Sequence, residues 1–217
     1  MTPSPAQAVD RVIRDRRTTK MTASADAPAA GGLPREAVDE ILAVAGSAPF
    51  HHPAPAGRRA EAAEPWRCHA LDARACRGLR ARALADGVGG KVPAMLGAAS
   101  ALALVTWLPE GPVEREPRLR FEGSLVNMEH VAAAGAMVQN VLLAATARDL
   151  RTYWSSGGWL STPAGLGVVG ARPDEVLVGA VFFFPASLAG ATVKPGKHRD
   201  ARSPLGAWAR WAEVPAG

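Results

Sequence analysis

Apolar residues recur along the chain at helical spacing, then at strand spacing, and each change of spacing marks an element. Ala8, Val9, Val12 and Ile13 share one face of a helix over residues 8–15. Residues 21–32 are small and contain proline, which predicts a loop. Pro34 then sits just inside a second helix over 35–45, where its missing N–H costs nothing. Val38, Ile41, Leu42 and Ala45 form the apolar face of that helix. Residues 47–65 make a long loop rich in Pro, Ala and Gly, the kind of segment that is functional or mobile in a compact domain. A short strand over 66–71, an arginine-rich surface helix over 73–85 and a strand over 99–107, led in by residues 93–96, follow.

Residues 126–147 predict a long helix that is apolar almost all round, so it must be covered on most faces, inside a domain or between subunits. Residues 153–159 read as a turn-forming loop and 163–169 as a short helix. The run 175–184 is the strongest strand, and its unbroken apolar character predicts burial on both faces. This order of elements predicts an α+β or α/β arrangement, with long helices packed on a sheet.

At 217 residues the chain can bury a sizeable core, and no stretch of 18 or more uncharged apolar residues suggests a membrane span. Met1–Gln7 lacks the charged-then-apolar pattern of a secretory signal. Two cysteines, Cys68 and Cys76, are too few for a disulfide scaffold or a metal knuckle, so a reducing cytoplasm is the expected compartment. A net charge of +5 suits an anionic ligand. The arginines are scattered, however, with no basic stripe interleaved with aromatics, and nucleic-acid binding is not expected.

The sequence holds no dinucleotide fingerprint, no phosphate loop, no HExxH and no GxSxG elbow. Gly87-Val88-Gly89-Gly90 has no strand before it and reads as a surface loop. His51 and His52 are adjacent rather than helically spaced, so no metal site is expected. Glu129-His130 reads as a satisfied core or interface pair. Three groups remain. Arg16, Arg17, Thr18, Thr19 and Lys20 end the first helix with guanidiniums, hydroxyls and an ammonium. They can either grip a phosphate or simply complement the helix dipole in solvent. Ser47–His51 open the long loop that closes at Glu64-Pro65-Trp66-Arg67. Trp154-Ser155-Ser156-Gly157-Gly158 can bring backbone close to a flat ring. A flavin mononucleotide needs all three: cations and hydroxyls for its phosphate, an apolar wall, and a backbone N–H at its ring.

On these motifs the chain resembles the FMN-dependent nitroreductases, from about Val9 to Pro185. Arg16-Arg17-Thr18-Thr19-Lys20 is similar to their R-R-S-x-R/K motif. Ala48-Pro49-Phe50-His51 and Glu64-Pro65-Trp66-Arg67 are similar to their A-P-(S/D)-x and Q-P-W-R loop. Residues 126–147 resemble the long central helix that builds the family's dimer. Trp154-Ser155-Ser156-Gly157 resembles the W-x-S-G turn of its short branch, and residues 174–179 resemble its closing strand. The resemblance implies one nitroreductase-like domain over 1–217, with a mostly antiparallel central sheet, a variable loop at 46–65 and a basic tail at 186–217.

It further implies a homodimer with shared sites, in which NAD(P)H reduces FMN and a nitroaromatic, quinone or similar acceptor reoxidises it. The cofactor carries the chemistry, so no catalytic side chain is expected. Arg16, Arg17, Thr18 and Lys20 would hold the phosphate and pyrimidine edge, and Ser47 and His51 would lie near the flavin. Trp154, Ser155, Ser156 and Gly157 would pass along the ring. Lys197 and Arg199 would add phosphate contacts, with Arg202 able to replace Arg199. The chain departs from the family at Phe50, at Glu64 and in an insertion of about ten residues between them. These departures bear on ring polarity and substrate access and motivate two alternatives: a flavin-dependent dehydrogenase or oxidase of a natural-product or peptide intermediate, and a binding member without turnover.

Overall fold

The computed structural model describes residues 3–24, 31–115 and 119–214. Helix α1 (Pro5–Asp15) begins at a reciprocal cap: Ser4 Oγ accepts from the Gln7 N–H while the Gln7 side chain accepts from the Ser4 N–H. Strand β1 (Thr19–Thr22) follows, then α2 (Arg35–Ala45), β2 (Trp66–Asp72) and α3 (Ala73–Ala85). Asp72 ends β2 and caps α3, its carboxylate accepting from the Ala75 N–H at 2.8 Å. Next come α4 (Lys91–Ala98), β3 (Ala101–Trp107) and a small hairpin of β4 (Val113–Glu114) and β5 (Arg120–Phe121). The chain continues through α5 (Leu125–Thr146), β6 (Arg151–Ser155), α6 (Pro163–Val168), β7 (Val176–Phe184) and β8 (Thr192–Pro195).

Four strands form one antiparallel sheet in the order β2–β3–β7–β6. Alternation of side chains across it creates two cores. Ala103, Val105, Val181 and Phe183 face α2 and α5, where they meet Ile41, Met137, Val138 and Val141. Leu102, Leu104, Phe182 and Phe184 face α3 and α4, where they meet Leu79, Met95 and Leu96. β1 and β8 pair separately, antiparallel, and Thr18 makes a parallel bridge to Thr152 that docks this ribbon on β6. The α+β expectation and the antiparallel sheet are borne out, and so is double-sided burial of β7.

Several expectations need correction. The predicted loop from residue 21 begins inside β1, and its residues 25–30 lie outside the described residues. Tyr153 to Ser155, read as part of a turn, are the end of β6; β7 supplies the partner that four residues of local pattern cannot reveal. Residues 93–96 belong to helix α4, and the following strand starts at Ala101 rather than 99. The basic tail contributes β8, which is fully exposed and so carries no apolar alternation. The Gly87–Gly90 segment is a surface loop between α3 and α4, as expected.

Candidate functional site: a cationic ribbon beside a glycine turn

After Asp15 the backbone leaves the helix at Arg16 (φ −56°, ψ 118°), which swings the basic residues away from α1 and into β1. Half-buried Arg16 reaches Thr18 Oγ1 at 3.4 Å. Arg17 folds back onto the carbonyls of Arg14 and Arg16. From the segment that follows β8, Arg199 donates to the Thr18 carbonyl at 2.7 Å and to Thr19 Oγ1 at 3.0 Å, while its Nε is buried without a partner. Gly196 permits this closeness: its N–H donates to the Thr18 carbonyl at 2.9 Å, and a Cβ there would lie 2.7 Å from Thr18 Cβ. Burial, and then the guanidiniums of Arg202, Arg17 and Arg199, push the Arg16 pKa down. Among the described residues no carboxylate pairs with any of these four arginines. Four cations gathered with no carboxylate in pairing distance among the described residues are arranged to receive an anion.

At the next step along β1, Lys20 stands directly opposite Lys194, with its Nζ 5.5 Å from the centre of the Tyr153 ring. Burial, and then Lys91 and Lys194, depress the Lys20 pKa. The chain has four lysines, and three of them meet here. Lys91 and Lys194 escaped sequence reasoning; lysine scarcity in a chain rich in arginine was the available signal. Lys197 is exposed beside the ribbon.

Strand β6 carries the chain from the cationic ribbon to the turn. Ser155 lies three residues beyond Thr152, about 10 Å along the strand. Ser155 Oγ accepts from the Gly157 N–H at 3.2 Å, and Ser156 is exposed between them. Gly157 (φ +95°) is buried, and a Cβ there would sit 2.4 Å from Leu177 Cδ2. The pairing of β3 with β7 slips by one residue between Val105 and Thr106, leaving Val178 as the extra residue of a bulge. Trp154 uses that bulge: its indole N–H donates to the Val178 carbonyl at 3.3 Å and its ring lies across Gly179, where a Cβ would be 2.1 Å from Nε1. The structure therefore brings Arg16, Arg17, Thr18, Lys20, Arg199 and Arg202 to one end of β6 and Trp154, Ser155, Ser156 and Gly157 to the other.

Within one chain His51 lies apart from that constellation, and Ser47 stands just past the end of α2. Both are exposed, and His51 lines a small hollow of about 270 Å³ with Phe50, Glu129, Ala133 and Ala136. Arg17 and Thr19 instead face a separate hollow of about 430 Å³ beside Thr146 and Asp149. Ala133 and Ala136 lie thirteen and ten residues before Thr146 on α5, which sets the two hollows about 15–20 Å apart. Phe50, the departure from the family motif, packs edge-on against Trp66 at 5.7 Å.

The long loop is pinned by a network that sequence reasoning did not find. Arg58, 4% exposed, reaches Asp174 at 2.6 Å, Glu61 at 3.0 Å and Glu175 at 3.2 Å. Glu175 also accepts from Thr106 Oγ1 at 2.6 Å and meets His69 Nε2 at 2.7 Å. Burial alone would raise the Glu175 carboxyl, but hydrogen bonds from His69, Thr106 and the Arg172 N–H hold it at about 2. His130 is fully buried on α5 with Nδ1 3.0 Å from the Leu108 carbonyl, while Glu129 lies 3.2 Å from His52 Nε2. No group of three potential metal ligands occurs among the described residues, and no helix there is long and apolar enough to cross a membrane.

No known family profile matches the chain, and no curated protein matches it in sequence. Solved structures do match over nearly its whole length. A nitroreductase-like protein from Bacillus cereus is similar with a TM-score of 0.64 and 21% identity, covering 99% of this chain and 100% of that one. A protein of Desulfovibrio desulfuricans described as a nitroreductase, solved in complex with FMN, has a TM-score of 0.59 and 23% identity over 99% and 100% of the two chains. The FMN-dependent nitroreductase of Mycobacterium smegmatis, solved in complex with NADPH, has a TM-score of 0.59 and 14% identity over 97% and 100%. The antiparallel sheet, the long α5 and the ribbon docked on β6 are thus an instance of the nitroreductase-like fold.

Proposed function

We propose that the chain is an FMN-dependent oxidoreductase that works as a homodimer, passing electrons from NAD(P)H to a nitroaromatic, quinone or similar small acceptor. The observation that carries this reading is the group of Arg16, Arg17, Arg199 and Arg202, in salt-bridge contact with no carboxylate among the described residues and one short strand away from the Gly157 turn. The residues fit the cofactor. Arg199 keeps a buried Nε free for an acceptor, Thr18 and Thr19 add hydroxyls, and the missing Cβ of Gly157 leaves backbone rather than side chain at the turn. Two of the similar structures were solved with FMN and with NADPH. When bound, FMN would supply the two-electron chemistry, which is why the site needs neither a nucleophile nor a carboxylate pair.

The chain's own residues have other tasks. The arginines neutralise and orient a phosphate with forked donors. Lys20, Lys91 and Lys194 place positive charge along the same edge, and Trp154 forms a wall fixed by its bond to Val178. His51 joins this site from a second copy, since about 15–20 Å of α5 separates the His51 hollow from the Arg17 hollow in one chain, and Ser47, at the start of the same loop, comes with it. The chain acts as one domain over 1–217 in a reducing cytoplasm, a compartment in keeping with two free, largely buried cysteines. The test is whether purified protein retains FMN and whether NADPH or NADH bleaches it. A colourless protein that takes up no added FMN overturns the reading. Retained FMN that no nicotinamide reduces would leave the dehydrogenase or binding alternatives.

A further inference from the structure

The polar network behind the long loop has a histidine that reaches solvent. Side chains alternate along β2, so His69 shares with Leu71 the face that turns toward α3. Behind its ring lies Glu175, 2% exposed, whose Oε2 meets His69 Nε2 at 2.7 Å and accepts from Thr106 Oγ1 at 2.6 Å. Against its burial, hydrogen bonds from His69, Thr106 and the Arg172 N–H hold that carboxyl at about 2. It is therefore ionised and can only accept, which fixes a ring proton on Nε2. Nδ1 makes no hydrogen bond among the described residues and is open to solvent, so the neutral ring presents a lone pair there. The ring opens on a hollow of about 490 Å³ between β2, α3 and the end of α6, walled by Leu71, Ala75, Leu79, Val168 and Val169. His69 is the one lining residue with a polar side chain. β2 lies three strand spacings, about 14 Å, from the strand on which the cationic ribbon docks.

We propose that this hollow is a binding site, separate from the cationic ribbon, for a small phenol whose hydroxyl donates to His69 Nδ1. The lining selects this class. Apolar walls receive a hydrocarbon ring, and one unpartnered acceptor matches one O–H donor. An anion finds no free guanidinium in the network: Arg58 is paired with Asp174, Glu61 and Glu175, and Arg172 with Glu61. A cation finds no open carboxylate among the lining residues, because Glu175 is enclosed behind the ring. Among neutral donors a phenol is more acidic than an aliphatic alcohol. Its hydrogen bond draws positive charge onto the imidazole, where the Glu175 carboxylate at 2.7 Å answers it. Gly78 of α3 leaves the space open, since an added Cβ there would meet nothing within 4 Å.

This inference stands apart from FMN. The probe is 4-cyanophenol, titrated calorimetrically into the native chain with and without added FMN. One molecule per chain is expected to bind, with the same affinity in both. The methyl ether, 4-methoxybenzonitrile, keeps the ring and lacks the O–H; it is expected to bind at least about tenfold more weakly, the loss of one hydrogen bond. Gly78→Leu fills the hollow from α3 and leaves His69 and Glu175 in place, and it too is expected to weaken the phenol at least about tenfold. His69→Ala should do the same, and Gly78→Leu carries the test if that variant fails to fold. No binding at millimolar phenol overturns the proposal. So does equal binding of the methyl ether or of 4-cyanobenzoate, since the His69 lone pair then selects nothing. Binding that survives Gly78→Leu, or that requires FMN and brings a long-wavelength flavin band, places the phenol elsewhere and overturns this proposal while leaving the FMN reading intact. A chain that binds the phenol as expected yet takes up no FMN overturns the FMN reading alone.

Discussion

Replacing Glu175 by Gln removes one negative charge from a buried polar cluster. Glu175 is 2% exposed and accepts from Thr106 Oγ1, His69 Nε2 and the Arg172 N–H, with Arg58 at 3.2 Å. An ionised carboxylate can only accept, so the His69 proton on this side sits on Nε2. Folded, the carboxyl is held at about 2 against an ordinary 4.5. That difference is worth about 3 kcal/mol of stability. The contribution is fully present above the ordinary value and is lost as pH falls from there through the folded value. Arg58 stays paired with Asp174 and Glu61 in the variant, so no lone buried cation adds to the loss. Urea unfolding at about pH 7 is therefore expected to place Glu175→Gln about 3 kcal/mol below the native chain, with the gap closing toward about pH 2. A gap that is the same at both ends of that range, or smaller than about 1 kcal/mol at neutral pH, refutes the assignment.

Arg199→Ala removes a guanidinium that ties Thr18 and Thr19 and faces the anion site; FMN affinity, measured by fluorescence quenching, is expected to fall about 10- to 100-fold from lost charge-assisted bonds. An unchanged affinity would remove Arg199 from the site. Gly157→Ala forces a side chain into φ +95° and against Leu177, at about 1–3 kcal/mol, so its melting temperature should drop by at least about 3 °C. Gly167→Ala, in open space on α6, should not lower it. Cys68 and Cys76 should resist Ellman's reagent in the folded protein at mildly alkaline pH and react fully in urea, because burial pushes both thiols up to about 12. Rapid reaction in the native state would contradict that burial.

What was legible in the sequence follows from which signals are local. α2, α3 and α5 have clear apolar faces or long apolar runs, and β7 is nine residues with no polar interruption, so pattern alone located them. β1, β6 and β8 span only four or five residues each, and their strand character comes from partners far away in the chain: Lys20 from Lys194, Thr152 from both Thr18 and Phe183. The cationic ribbon was visible as Arg16–Lys20 and Lys197–Arg199, yet not its convergence, which depends on that pairing. Arg58, His69, Thr106 and Glu175 come from four separate segments with no shared motif, so their network could not be read from spacing. His51 matched a family motif, but its distance from the ribbon is a property of the length of α5.

The visible absorption spectrum of the purified chain, recorded before and after NADPH under anaerobic conditions, tests the central claim most directly. The account predicts a yellow protein with FMN bound in proportion to chain and a flavin band that disappears on reduction and returns with an acceptor. A protein that stays colourless after incubation with excess FMN and gel filtration would contradict it, and the four arginines around Thr18 would then await another anion.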